Sequence, residues 1–96
     1  MIGLVGPGKG FRFLLNEDLH AIGRDPNNDI SLDDVTVSRR HAEIIRNAQK
    51  FTIRDLKSLN GTYVNARSVS DYELQQGDEL QIGKYKFHFF QNISGK

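Results

Sequence analysis

The sequence predicts an all-β fold, an antiparallel β-sandwich of short strands, and three features carry that prediction. Apolar and polar residues alternate over short runs, the period of a half-buried strand. Turn-forming clusters of Gly, Pro, Asn and Asp interrupt these runs at short intervals. Nowhere do apolar residues recur at helical spacing for long enough to make a helix. Aromatic side chains fill many of the alternating positions, as they do in sandwich cores.

Taken in order, a Gly6-Pro7-Gly8 turn precedes GFRFLL at 10–15, which sets Phe11, Phe13 and Leu15 on one face. A strand ends at Gly23, ahead of the turn residues Asp25-Pro26-Asn27-Asn28. HAEIIRN at 41–47 and KFTIRDL at 50–56 pair around Asn47-Ala48-Gln49, with Phe51 and Ile53 facing one way. Turn signals follow at Ser58-Leu59-Asn60-Gly61 and Gln76-Gly77-Asp78. DELQIG at 78–83 and KYKFHFF at 84–90 close the pattern, aligning Leu80 and Ile82 with Tyr85, Phe87 and Phe89. Residues 1–91 read as one domain and NISGK at 92–96 as a frayed tail, with no internal repeat or linker.

Composition bounds the function. A chain of 96 residues supports one core, with little left over for a deep catalytic cleft. Cysteine is absent, which excludes disulfides, thiolate metal sites and a cysteine nucleophile, and fits a cytoplasmic protein. Thirteen Lys and Arg against twelve Asp and Glu leave a net charge of +1, so any anion site is local. Non-specific nucleic-acid binding normally needs a basic excess, and none is expected here. No signal-peptide pattern opens the sequence, and no run reaches the ~18 apolar residues of a membrane span. The expectation is a monomer with no cofactor and no membrane partner.

In a sandwich, function concentrates on the loops at one end, here 24–29, 33–40 and 57–62. VTVSRRHAE at 35–43 places Ser38 near His41, which raises the question of a hydrolase. A nucleophilic serine needs a base, an orienting group and oxyanion donors, and no G-x-S-x-G elbow surrounds this one. Metal binding has less support. His20, His41 and His88 are scattered, and Asp33-Asp34 lacks the spacing of a calcium loop. Phosphate binding has the right donors: the Arg24 fork after Gly23, the Ser38 hydroxyl, the Arg39-Arg40 cations and the Asn60-Gly61-Thr62 turn. Each also has an ordinary structural role open to it. Arg24 is able to pair with Asp25 or Asp29, Ser38 to cap a turn, and Asn60-Gly61 to form a hairpin turn.

The order of these pieces is more specific than any one of them. Gly23-Arg24, then Ser38-Arg39-Arg40-His41, then Asn60-Gly61-Thr62 with Asn65, resembles the forkhead-associated (FHA) domain over essentially the whole chain, including the closing GDELQIGKYKF. DDVTVSRRHAE with SLNGTYVN is most similar to the small actinobacterial FHA regulators. The resemblance implies an eleven-stranded β-sandwich that binds phosphothreonine peptides through loops at one end, without catalysis. Its partner would be a phosphothreonine-containing protein, a Ser/Thr kinase or its substrate. Arg24, Ser38 and Arg39 would contact the phosphate, and Asn60 the peptide backbone, while Arg40 would be surface charge. Gly23, His41, Gly61, Thr62 and Asn65 would shape the site, His41 by bracing the serine loop. Thr36, Val37 and Leu59 are candidates for reading ligand residues beyond the phosphothreonine. One departure stands out: many members carry Thr or Ser where this chain has Leu59, which has no side-chain donor. The same resemblance implies an alternative, a phosphate-independent scaffold that regulates metabolic enzymes through the same loops.

Overall fold

A computed structural model describes residues 2–6 and 11–91. The predicted turn around Pro7 and Gly8 and the predicted tail at 92–96 lie outside the described residues. Eleven strands form two sheets, and among the described residues there is no helix. In chain order the strands are β1 (Ile2–Val5), β2 (Arg12–Leu14), β3 (Leu19–Gly23), β4 (Ile30–Ser31), β5 (Ala42–Asn47) and β6 (Lys50–Asp55). They continue with β7 (Thr62–Val64), β8 (Arg67–Ser68), β9 (Asp71–Glu73), β10 (Glu79–Ile82) and β11 (Tyr85–Gln91). One sheet has the order β2-β1-β11-β10-β7-β8, the other β4-β3-β5-β6-β9.

The alternation read from the sequence becomes the division between core and surface. Leu80 and Ile82 of β10, Phe87 and Phe89 of β11, Ala42 and Ile44 of β5, and Phe51 and Ile53 of β6 are all buried. The residues between them face outward or lie half-buried, the signature of sheets with one covered face. Phe51 and Phe89, from different sheets, meet with ring centroids 5.9 Å apart, and Phe13 meets Phe87 edge-on at 6.0 Å. Fully burying a ring such as Phe51 or Phe89 stabilises the fold by about 1.5–3 kcal/mol, and it is the Phe51–Phe89 contact that joins the two layers, whereas Phe13 and Phe87 share a sheet.

The sandwich is not wholly antiparallel. β3 and β4 run parallel, pairing Ile22 with Ile30 and Gly23 with Ser31. This short return is pinned by Asp29, whose carboxylate accepts the Ala21 amide at 2.8 Å. Residues 24–29 therefore stand out at the end of the sheet. They join loop 32–41 between β4 and β5, loop 56–61 between β6 and β7, and the Gly83-Lys84 turn between β10 and β11. No helix among the described residues is long and apolar enough to cross a membrane.

Candidate functional site

Four chain segments converge at this end, and backbone hydrogen bonds set their spacing. The Arg24 amide donates to Ser38 O at 2.9 Å, and the Asp25 amide to Arg39 O at 3.3 Å. Asn28 Nδ2 bridges the carbonyls of Asp25 (2.9 Å) and Arg39 (2.8 Å). Gly23 makes this approach sterically possible. A Cβ there would collide with the Arg39 carbonyl oxygen and lie 2.7 Å from both its carbon and Asn28 Nδ2.

His41 is fully buried, and both of its ring nitrogens are engaged. The Ser38 amide donates to Nδ1 at 3.1 Å, and Gly61 O lies 2.8 Å from Nε2. Nδ1 can only accept from an amide, so the ring proton sits on Nε2 and is donated to Gly61 O. With both nitrogens committed, this histidine is unavailable as a base for Ser38 and instead ties the serine loop to the Asn60-Gly61 turn. Ser38 Oγ accepts the Leu59 amide at 3.0 Å, which leaves its proton free to be donated outward.

The Asn60-Gly61 turn has its own supports. Gly61 sits at φ +86°, a left-handed conformation that favours glycine, and its amide donates to Ser58 Oγ at 2.9 Å. Asp55 accepts Ser58 Oγ at 2.6 Å, the Ser58 amide at 3.2 Å and Thr62 Oγ1 at 2.7 Å. Partial burial pushes the Asp55 carboxyl up, but these hydrogen bonds outweigh it and the net shift is downward. Asn60 Nδ2 donates to Thr36 O at 3.0 Å. A carbonyl only accepts, so the amide nitrogen must face Thr36 and Oδ1 is turned away, available to accept from a ligand amide.

Two clefts open on this surface. One, of about 300 Å³, is lined by Arg24, Val35, Val37, Ser38, Arg39, Leu59 and Asn60. The other, of about 480 Å³, is lined by Arg24, Asp25, Pro26, Asp33 and Arg39. Arg24 and Arg39 are common to both, and among the described residues neither forms an ion pair. The pairing of Arg24 with Asp25 or Asp29 that the sequence left open does not occur: Asp25 Oδ1 accepts the Asn27 amide and Asp29 the Ala21 amide. Two unpaired guanidiniums, a free hydroxyl proton and an outward amide oxygen on one concave surface suit a phosphorylated, extended chain.

The four ligand-contact candidates thus line one cleft, and Gly23, His41, Gly61 and Thr62 form its support. Arg40 is exposed and lines neither cleft. Val37 is only 2% exposed and belongs mainly to the core, so it offers little surface for reading a ligand. Asn65 lies at the far end of β7 from Gly61. There it takes φ +51°, donates to Asp78 at 2.9 Å and accepts the Glu79 amide at 3.0 Å, fastening β7 to β10. Sequence reasoning missed Val35, 84% exposed beside Leu59 at 88%. It named Asn28 only as a turn residue and Asp34 only in the rejected calcium-loop pair, and it missed Asp55. The last two sit in Asp-x-Thr and Asp-x-x-Ser patterns, the local signal of a carboxylate capping a turn.

The family model of the FHA domain matches residues 20–83. The chain belongs to the FHA-domain family. Over 84 residues this FHA chain is 54% identical to the oxoglutarate dehydrogenase inhibitor of Corynebacterium jeikeium, covering 88% of this chain and 58% of that protein. It is 52% identical over 84 residues to the glycogen accumulation regulator GarA of Mycobacterium tuberculosis, covering 88% of this chain and 52% of that protein. The narrower resemblance to small actinobacterial FHA regulators is thereby borne out. The FHA chain spans just over half the length of these relatives. It also superposes, with a TM-score of 0.88 at 32% identity, on the structure described as "Structural and functional analysis of phosphothreonine-dependent FHA domain interactions", covering 95% of this chain and 96% of that one.

Proposed function

We propose that this FHA domain is a non-enzymatic, monomeric, cytoplasmic module that binds phosphothreonine segments of a partner protein in Ser/Thr-kinase signalling. The observation that carries the reading is the shared cleft of Arg24, Ser38, Arg39 and Asn60, in which neither guanidinium has a counter-ion among the described residues. Phosphothreonine brings about −1.5 to −2 charge at neutral pH and three acceptor oxygens. Arg24, Arg39 and the Ser38 proton supply donors for these oxygens, each charge-assisted bond contributing roughly 1.5–3 kcal/mol. Asn60 Oδ1 receives an amide of the bound peptide, while exposed Val35 and Leu59 offer apolar surface beside it. A carboxylate has one charge and a planar pair of oxygens, so aspartate and glutamate substitute poorly. Leu59 provides no hydroxyl, and Arg39 makes up the donor set in its place.

Calorimetric titration with matched phosphorylated and unphosphorylated threonine peptides, drawn from a degenerate library, tests the reading. Only the phosphorylated form should bind, and Arg24→Ala should weaken it by roughly tenfold or more, the loss of one charge-assisted bond. Equal binding of both peptides would sink the proposal. A second reading, a scaffold that engages unphosphorylated metabolic enzymes, is favoured by the relatives' names as an inhibitor of oxoglutarate dehydrogenase and a regulator of glycogen accumulation. A partner that still binds Arg24→Ala and lacks phosphate would support that second reading.

A further inference from the structure

The β10–β11 turn lies far along the chain from the phosphate-site loops, yet it touches one of them directly. Lys84 Nζ pairs with Asp34 Oδ1 at 3.1 Å, and the Lys84 amide donates to Thr36 Oγ1 at 3.0 Å. Asp34 Oδ2 accepts both the Thr36 hydroxyl and the Thr36 amide, the latter at 2.9 Å. Thr36 O in turn receives Asn60 Nδ2 at 3.0 Å. Gly83 is the point of closest approach in this arrangement. It takes φ +59°, and a Cβ there would fall 2.8 Å from both Thr36 O and Val37 Cγ2.

From this chain of contacts we infer that Gly83 and Lys84 are positioning residues for ligand recognition, holding Asn60 in its binding orientation through Asp34 and Thr36. The inference rests on the proposed phosphothreonine reading for its consequence. The hydroxyl of Thr36 is held from both sides, donating its one proton to Asp34 and accepting from Lys84 N. Thr36 therefore acts as a locked strut whose carbonyl presents one fixed acceptor to Asn60. Fixing that nitrogen also fixes where Oδ1 points, and Oδ1 is the atom left for the peptide. The Lys84 side chain is 62% exposed, and an exposed ion pair adds little to stability. Its effect appears in geometry instead, because a bound peptide requires Asn60 in one orientation and a freed side chain must be ordered on binding.

A double-mutant cycle on phosphothreonine-peptide affinity tests this, using Lys84→Met, Asn60→Ala and both together. Lys84→Met should weaken binding roughly three- to tenfold with its thermal midpoint nearly unchanged, the range by which supporting residues modulate a site. Lys84→Arg should restore most of the loss. In the Asn60→Ala background, Lys84→Met should cause no further loss, because both changes remove one interaction. Additive losses, or Lys84→Met binding like wild type, would overturn the inference. A direct readout separates this from failure of the functional reading. The side-chain amide resonances of Asn60 in the free protein should shift in Lys84→Met and in Thr36→Val, and should exchange faster with water. Unchanged resonances would overturn the relay whether or not the wild-type protein binds phosphopeptide. Wild-type protein that ignores phosphopeptide would instead sink the functional reading alone.

Discussion

Gly23→Ala adds one methyl group at the tightest point of the phosphate end. Its Cβ would sit 2.7 Å from the Arg39 carbonyl carbon and Asn28 Nδ2, and nearer still to the carbonyl oxygen, where ordinary contact begins at 3.4 Å. The two backbones must separate by roughly an ångström, because protein interiors leave no void to absorb the difference. Three hydrogen bonds span that gap: Arg24 N to Ser38 O, Asp25 N to Arg39 O, and Asn28 Nδ2 to Arg39 O. At about 1 kcal/mol each, their loss or stretching predicts a destabilisation of roughly 2–4 kcal/mol. A domain of this size has about 5–14 kcal/mol of stability, so the variant should still fold. Displacing Ser38 and Arg39 from Arg24 by that distance breaks the shared phosphate geometry, and affinity should fall by roughly a hundredfold. Urea denaturation and calorimetric titration of the same protein measure both quantities. Wild-type stability together with wild-type affinity would refute the claim that glycine is required there.

Two further outcomes follow from the backbone and the charges. Asn65 and Ala66 form the β7–β8 turn with φ +51° and +70°, the left-handed pair of a type I′ hairpin, and alanine is strained in that conformation. Ala66→Gly should stabilise the domain by about 1 kcal/mol and raise its thermal midpoint by about 4–8 °C; a midpoint that stays put or falls would count against the strain. The Thr36 hydroxyl and amide, followed by the Lys84 ammonium, hold the Asp34 carboxyl down to about 2 from an ordinary 3.8. A lowered carboxyl contributes stability that is complete above its unfolded value and lost as pH falls through its folded one, and the downward-shifted Asp55 acts in the same sense. Stability should therefore drop as pH falls from the ordinary carboxylate range toward 2. Asp34→Asn should flatten that slope in urea titrations run at stepwise lower pH, and an identical slope would argue against the assignment.

Much of the architecture was legible because strand periodicity is local. Alternation at 41–47, 50–56, 78–83 and 84–90 marked strands that the structure sets at 42–47, 50–55, 79–82 and 85–91. Phe51, Ile53, Leu80, Ile82, Phe87 and Phe89 do face inward, since a residue's side of the pleat depends only on parity. The parallel pairing of β3 with β4 was not legible: a two-residue strand has no period to read, and its partner is chosen by the path of the loop. Within the site, the residue types that bind phosphate were recognisable by their chemistry and order. Val37 illustrates what local pattern omits, because a valine between loop residues points to solvent or core only according to how the loop packs.

The amino-acid sequence by itself therefore determined the strand class, the turn positions, and which side chains have the charge and donors for a phosphorylated ligand. Tertiary structure decided which of them meet. It brought Gly23 against Arg39, committed both nitrogens of His41, sent Asn65 to the opposite end of its strand, and set Lys84 beside Asp34 and Thr36. The reason is physical. Side-chain periodicity and turn chemistry act over a few residues, whereas contacts between loops are fixed only when two apolar sheet faces close on one another and carry their connecting turns to the same end.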